Sequence, residues 1–351
     1  MPIVKDEVLA GLIAVAFKAL RVKKIIIGSF FLILSFLIYI LILNSVALID
    51  SADWVPSALP SFAVPQTVVS SIVFYLGLAV LILIVMDGMT AIAKFDYEEI
   101  SGHRFYPMRS AMRFGFSRFK QLLMSEAAII LFLLFVILLG AAIGLLTRLP
   151  VLGDILFSVF FVFPNFVVAM LAVLVIFALA ASIMIMPAAV AADKKGEAFN
   201  SIQETFSTII RRPIHWTVLT IYSLIWAKIG GFVFAYFSYR AVQFIKFSTM
   251  LGGGEKTANL IGGGLSHLPL HSPPAYHTFS LFPGSRIGIH LDSLLSAGGT
   301  GWAGYLMALS LFLIFVLIWG YIFSVIATGQ AYLFAYIRKI RGIEKAKRYQ
   351  K

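Results

Sequence analysis

Six apolar runs dominate this chain, at roughly residues 25–48, 67–93, 122–146, 163–192, 214–234 and 302–326. As an α-helix rising about 1.5 Å per residue, each is long enough to cross the roughly 30 Å hydrocarbon core of a bilayer. Lipid offers no partner to an open backbone N–H or C=O, so a helix, which satisfies its own, is the form such runs take. Composition agrees: 60% of residues are hydrophobic, 13% are charged, and the mean hydropathy is +0.96. A water-soluble core does not absorb that much apolar surface. The expected fold class is all-α, a polytopic integral membrane protein with residues 1–351 forming a single membrane domain.

Lys and Arg then orient the chain. Five lie in residues 1–24, six in 94–120, four in 194–212 and seven in 338–351, which accounts for 22 of the 28. The intervening segments are nearly free of positive charge: residues 49–66 carry none, and the turn after the third span carries Arg148 alone. By the positive-inside rule the basic segments, including a basic tail at 338–351, are cytoplasmic, and so are both termini. Residues 247–301 then form one long external loop. The formal net charge of +12 is explained by these flanks, so no nucleic-acid partner is expected; the expected partner is a bilayer with anionic headgroups. Ser45-Val46-Ala47 offers a small-residue cleavage site, but the preceding run is far longer than the ~7–15 residues of a signal-peptide core, so a retained first helix is expected. The expected location is a bacterial inner membrane, in multi-pass form.

A threefold recurrence organises the spans. Each inward-to-outward span is preceded by an amphipathic segment with apolar residues every three or four positions. In the first, Val8/Leu9, Leu12/Ile13, Ala16/Phe17 and Leu20 form the stripe, with Lys18 and Arg21 off it. In the second, Met108, Ala111/Met112, Phe116 and Phe119 alternate with Arg109, Arg113 and Arg118. In the third, Phe199, Ile202, Phe206 and Ile209/Ile210 alternate with Glu197, Gln203, Glu204 and Arg211, and Arg212 follows. Such helices are expected on the cytoplasmic surface, with Arg109, Arg113, Arg118, Arg211 and Arg212 against headgroups and Phe and Met in the acyl region. The return spans also share small residues near their cytoplasmic exits: Gly88-Met89-Thr90-Ala91, Pro187-Ala188-Ala189-Val190-Ala191 and Thr328-Gly329-Gln330-Ala331. The expected architecture is three tandem hairpins, each introduced by a surface helix.

The run Lys195-Gly196-Glu197-Ala198-Phe199, followed by Arg211-Arg212-Pro213 leading straight into the next span, resembles bacterial six-helix membrane families. These include the membrane domain fused to some glycerophosphodiester phosphodiesterases. The resemblance covers about residues 85–245. It implies a fold and carries no catalytic residue across.

Ionisable side chains inside a span cost at least about 2.5–3.5 kcal/mol on insertion scales, so each requires a reason. Lys228 lies well inside the fifth span and is a candidate for a substrate, anion or proton site; the plainer alternative is a Lys facing a polar partner or snorkelling. Asp87 and Glu126 sit near the cytoplasmic ends of the second and third spans, at similar depth, where they could face each other, anchor helices or pair with Arg113 or Lys94. His267 and His271, four apart, with His277 nearby, form a candidate metal set. Pro269, Pro273 and Pro274 oppose a helix there, and no H-E-x-x-H pattern accompanies them. Gly252-Gly253-Gly254-Glu255-Lys256-Thr257 departs from a phosphate loop because Glu255 separates the glycine from Lys256 and no strand precedes it.

There is no cysteine, no histidine in the middle of a span to hold a pigment, and no nucleophile with a base in reach. No cofactor and no enzymatic activity are expected. The reading that remains is a scaffold or accessory subunit in contact with other membrane proteins through small-residue helix faces such as Gly140-Ala141-Ala142-Ile143-Gly144. The alternative is a transporter or channel for a small or lipid-like solute with Lys228 at its site.

Overall fold

The computed structural model describes residues 8, 10–50, 65–103, 105–145, 148, 152–268, 289, 294 and 301–348, and every regular element among them is a helix. In chain order these are α1 (Val15–Ala19), α2 (Val22–Asp50), α3 (Val68–Ile100), α4 (Met108–Leu145), α5 (Leu152–Val159), a π-helical turn (Phe161–Phe166), α6 (Val167–Ala192), α7 (Ala198–Arg211), α8 (Pro213–Gly253), α9 (Glu255–Ser266) and α10 (Trp302–Arg348). Six stretches are long and apolar enough to cross a membrane: α2, α3, α4, Phe163–Ala192, α8 and Trp302–Ile340. They coincide with the six runs expected from hydropathy.

The returning helices α3, α6 and α10 form the middle of the bundle and pack on one another. Their buried stretches, 86–93, 185–191 and 327–334, contain the small-residue motifs of the three exits. Small side chains let helix backbones approach where no hydrophobic effect drives association, and dispersion contacts grow accordingly. Gly88 lies against the Phe31 ring, and a Cβ on Gly28 would meet the Gly320 carbonyl oxygen at 2.7 Å. The outward helix α2 lies against α3 and α10, and α4 lies against α3 and α6. α8 runs along α10 and meets α6 near its start, where the Trp216 indole stands edge-on to Phe177.

Local signals close the turns. Thr67 caps α3: its hydroxyl accepts the Ser70 N–H, and Ser70 Oγ accepts the Thr67 N–H in return. Asp50, at the end of α2, accepts from both Thr67 Oγ1 and the Gln66 N–H at 2.9 Å, joining the two ends of the first hairpin. Asp193, after α6, accepts the backbone N–H groups of Lys195, Gly196 and Glu197. Gly196 has φ +78, a left-handed conformation that side chains rarely adopt, so the Lys195-Gly196-Glu197 turn favours its glycine. Pro213 opens α8 at a position where the missing N–H has no helical partner to lose.

The three amphipathic segments take three different forms. The third is the separate helix α7. The second is not separate: Met108 to Phe119 is the first part of α4, a single helix of 38 residues. The first is docked into the protein. Val8, Leu12, Val15 and Ala19 are buried and Gly11 lies under the Tyr332 ring, while Ile13 and Phe17 face outward. Helix lengths also exceed the expected spans. α8 has 41 residues, about 61 Å, and runs on through 235–247, past the expected end of the fifth span. Through Arg348 the basic tail is the continuation of α10. Within the expected external loop, residues 247–253 and α9 are helical, and Ile261 and Leu265 join Ala235, Tyr239 and Ile318 in a small outer core.

Candidate functional site at the basic end of the bundle

Polar chemistry gathers where the basic segments meet the buried exits. Lys24, in the first turn of α2, and Asp96, in the last part of α3, form an ion pair in which both side chains are 0% exposed. The Lys24 ammonium also donates to the Lys18 carbonyl at 3.0 Å and, at 3.5 Å, to Thr328 Oγ1 of α10. Three helices and the N-terminal segment therefore converge on one nitrogen. Nearby, Glu99 binds Lys18 at 3.0 Å and Arg21 at 2.7 Å.

Hydroxyls of α8 and α10 likewise satisfy carbonyls of the N-terminal segment, among them those of Ala16 and Ala19 in α1, which no helical N–H can reach. Tyr222 Oη donates to the Ile13 carbonyl at 2.9 Å, Tyr321 Oη to Ala16 at 3.2 Å and Ser324 Oγ to Ala19 at 3.2 Å. An ammonium and hydroxyl donors at the negative end of a helix dipole are mutually stabilising. The segment is thus held by the bundle, and Lys18 and Arg21 meet Glu99 where headgroups were expected.

A second network joins α4 to the turn before α7. The Gln121 amide donates to Asp193 Oδ2 at 3.0 Å, Ser201 Oγ at 2.8 Å and the Glu197 carbonyl at 3.3 Å. Arg118 donates to Gln121 Oε1 and to the Asp193 carbonyl, and its guanidinium lies 5.1 Å from the Phe114 ring centre.

Between the ends of α3 and α6, the start of α4 and the late turns of α10 is a cleft of about 710 Å³. Lys94, Arg118, Lys194, Arg338 and Lys339 line it together with the carboxylates of Glu98 and Asp193; its apolar wall includes Tyr97, Ile100, Phe114 and Phe334. Lys94 pairs with Glu98 at 2.7 Å, and Glu98 also contacts His103 at 2.8 Å.

The residues singled out by sequence are distributed differently. Lys228 is exposed on the outer face of α8. Asp87 is 1% exposed, with no hydrogen-bond partner for Oδ1. Glu126 accepts from Ser182 Oγ of α6 at 2.9 Å. A Cβ on Gly115 would meet the Asp87 carbonyl, and Glu126 lies eleven residues, about 16 Å, further along α4, so the two carboxylates are at different levels of that helix. Arg109, Arg113 and Arg211 are exposed, Arg212 is half-buried, and Arg118 is engaged in the Gln121 network. His267 stacks on Tyr305 with ring centres 4.3 Å apart; His271 and His277 lie outside the described residues. Among the described residues, no group of three potential metal ligands comes together.

The Lys24–Asp96 pair escapes a search confined to the interiors of apolar runs, because both residues sit just outside them. The signal that could find it is an acidic cluster, Asp96 to Glu99, immediately after one span, facing the Lys18, Arg21, Lys23 and Lys24 cluster immediately before its hairpin partner.

Fold and site together define a polytopic α-helical membrane protein whose polar groups are concentrated at one end. No protein family, curated protein or solved structure matches the chain.

Proposed function

We propose that this protein is a non-enzymatic membrane scaffold or accessory subunit that works through its helix faces. The observation that carries the reading is how the polar groups of the spans are used. Lys24 with Asp96, Glu126 with Ser182, and Gln121 with Asp193 and Ser201 each tie one helix to another. Such ties make the basic end a rigid joint, because a buried charge or amide that loses its partner is strongly penalised. Beyond that joint, α4 and α6 present apolar faces, with Leu131, Phe135 and Leu138 on one and Met170, Val173 and Phe177 on the other. On this reading the basic end, held in the cytoplasm by its Lys and Arg, fixes the angle at which those faces are offered to neighbouring membrane proteins.

The test is photo-cross-linking in native membranes with a cross-linker at Phe135 or Val173, followed by mass spectrometry. The expected product is a discrete protein adduct of constant stoichiometry. Lipid adducts alone, on a 38.7 kDa monomer, would overturn the scaffold reading. Solute flux abolished by Lys228→Met and retained by Lys228→Arg would replace it with transport.

A further inference from the structure

Three cations of the basic cleft have no counter-charge among the described residues. Its two carboxylates are already engaged: Glu98 by Lys94 and His103, and Asp193 by Gln121 and the backbone N–H groups that follow it. Arg118 is likewise committed to Gln121 and the Asp193 carbonyl. That leaves Lys194, Arg338 and Lys339. The Lys339 ammonium nitrogen is buried and has no hydrogen-bond partner. An ammonium withdrawn from water without an acceptor is strongly unfavourable, and because Lys339 lines the cleft, turning its side chain toward an anion there removes that penalty.

The cleft's shape and lining specify the anion further. About 710 Å³ is far more than an inorganic ion needs and is in the range of sites that enclose a small organic molecule, roughly 300–1,000 Å³. Its lining combines these cations with the apolar side chains of Tyr97, Phe114 and Phe334. The cleft also lies at the end of the bundle where the spans leave their apolar runs, the level of phospholipid headgroups. We infer that this cleft binds a phosphate ester with an apolar portion, its phosphate oxygens taken by Lys339, Arg338 and Lys194 and its apolar part lying against Phe114 and Phe334. Two sources share this chemistry: the headgroup region of an anionic phospholipid and a soluble phosphate ester with an apolar group, such as phenyl phosphate. The inference is independent of the scaffold reading, since a protein with no membrane partner would still hold the ligand.

Native mass spectrometry of the full-length protein in detergent, titrated with phosphatidylglycerol or phosphatidylcholine of matched chains, tests it. Wild type is expected to bind one phosphatidylglycerol at least tenfold more tightly than phosphatidylcholine. Arg338→Gln with Lys339→Gln should abolish that preference, Lys339→Arg should retain it, and Lys256→Gln, exposed and outside the cleft, should leave it unchanged. An unchanged melting temperature in the double variant separates lost binding from lost folding; if that variant is unfolded, Lys194→Gln, on an exposed residue, is expected to weaken the preference at least threefold. Phenyl phosphate that binds wild type tenfold more tightly than the double variant, in the absence of lipid preference, assigns the site to a soluble ester. Equal affinity for both lipids together with no cleft-dependent binding of phenyl phosphate, or a full preference in the folded double variant, overturns the inference.

Discussion

Removing the Lys24 ammonium is the sharpest perturbation this fold offers. Both members of the Lys24–Asp96 pair are 0% exposed, and the ammonium is shared with the Lys18 carbonyl and Thr328, so the substitution acts on α2, α3, α10 and the N-terminal segment together. Lys24→Met keeps the length of the side chain and removes the charge. Asp96 then has no cationic partner, and Asp96 Oδ2 is already without a hydrogen bond. Breaking a buried pair from one side destabilises by about 3–5 kcal/mol, whereas replacing both members by apolar groups is often neutral or stabilising, because the desolvation of both ions is removed with their attraction. The expected order is therefore Lys24→Met and Asp96→Leu each about 3–5 kcal/mol less stable than wild type, with Asp96→Leu at the lower end because the ammonium keeps its carbonyl acceptor. The double variant should recover at least about 2 kcal/mol of the summed loss. Reversible unfolding in mixed detergent and dodecyl sulfate micelles, fitted as a double-mutant cycle, measures all three. Two single variants within about 0.5 kcal/mol of wild type, with no coupling between them, would refute the claim that this pair is desolvated and joins the helices.

Gly320→Val should separate α2 from α10, since even a Cβ at position 320 would meet Ser29 Oγ at 2.2 Å and the Ile25 carbonyl oxygen at 2.9 Å; overpacking of this kind costs about 1–3 kcal/mol, read in the same unfolding assay. Gly11→Ala, whose Cβ would fall 2.1 Å from the Tyr332 ring, should release the N-terminal helix and expose it to limited proteolysis while the six spans remain protected. Gln121→Leu leaves Asp193 and Ser201 without their amide donor and should lower stability by about 1–3 kcal/mol, whereas Arg113→Gln on the exposed face of α4 should be silent. Topology is tested by cysteine labelling in the cysteine-free chain: Lys256→Cys, exposed in the first turn of α9, is expected to react with an impermeant maleimide from outside, and Lys195→Cys, exposed at the basic end, from inside. Reaction of both from the same side would overturn the orientation.

Most of the helical framework was legible in the chain, and the residues that failed to follow it share a cause. The six runs and the small-residue exit motifs are local, and each is found where expected. The segment Met108 to Phe119 read as a surface helix because its periodicity is amphipathic, yet periodicity specifies which face is apolar and not whether the helix continues; no breaker separates it from the third span, and α4 runs on. Beyond the expected end of the fifth span, α8 likewise runs on through 235–247, where Ala235, Tyr239 and Val242 pack with α9 and α10. Lys228 was conspicuous for its position along the fifth span, and α8 is rotated so that the side chain faces outward.

Sequence by itself determined that the chain is a set of membrane-crossing helices, because the transfer of an apolar segment into lipid is a sum over consecutive residues and needs no knowledge of neighbours. Tertiary structure alone decided which charges meet. Lys24 and Asp96 are 72 residues apart, and Gln121 and Ser201 are 80 apart. Their pairing depends on the rotation, tilt and register of helices packed on small residues, and these are properties of contacts between segments.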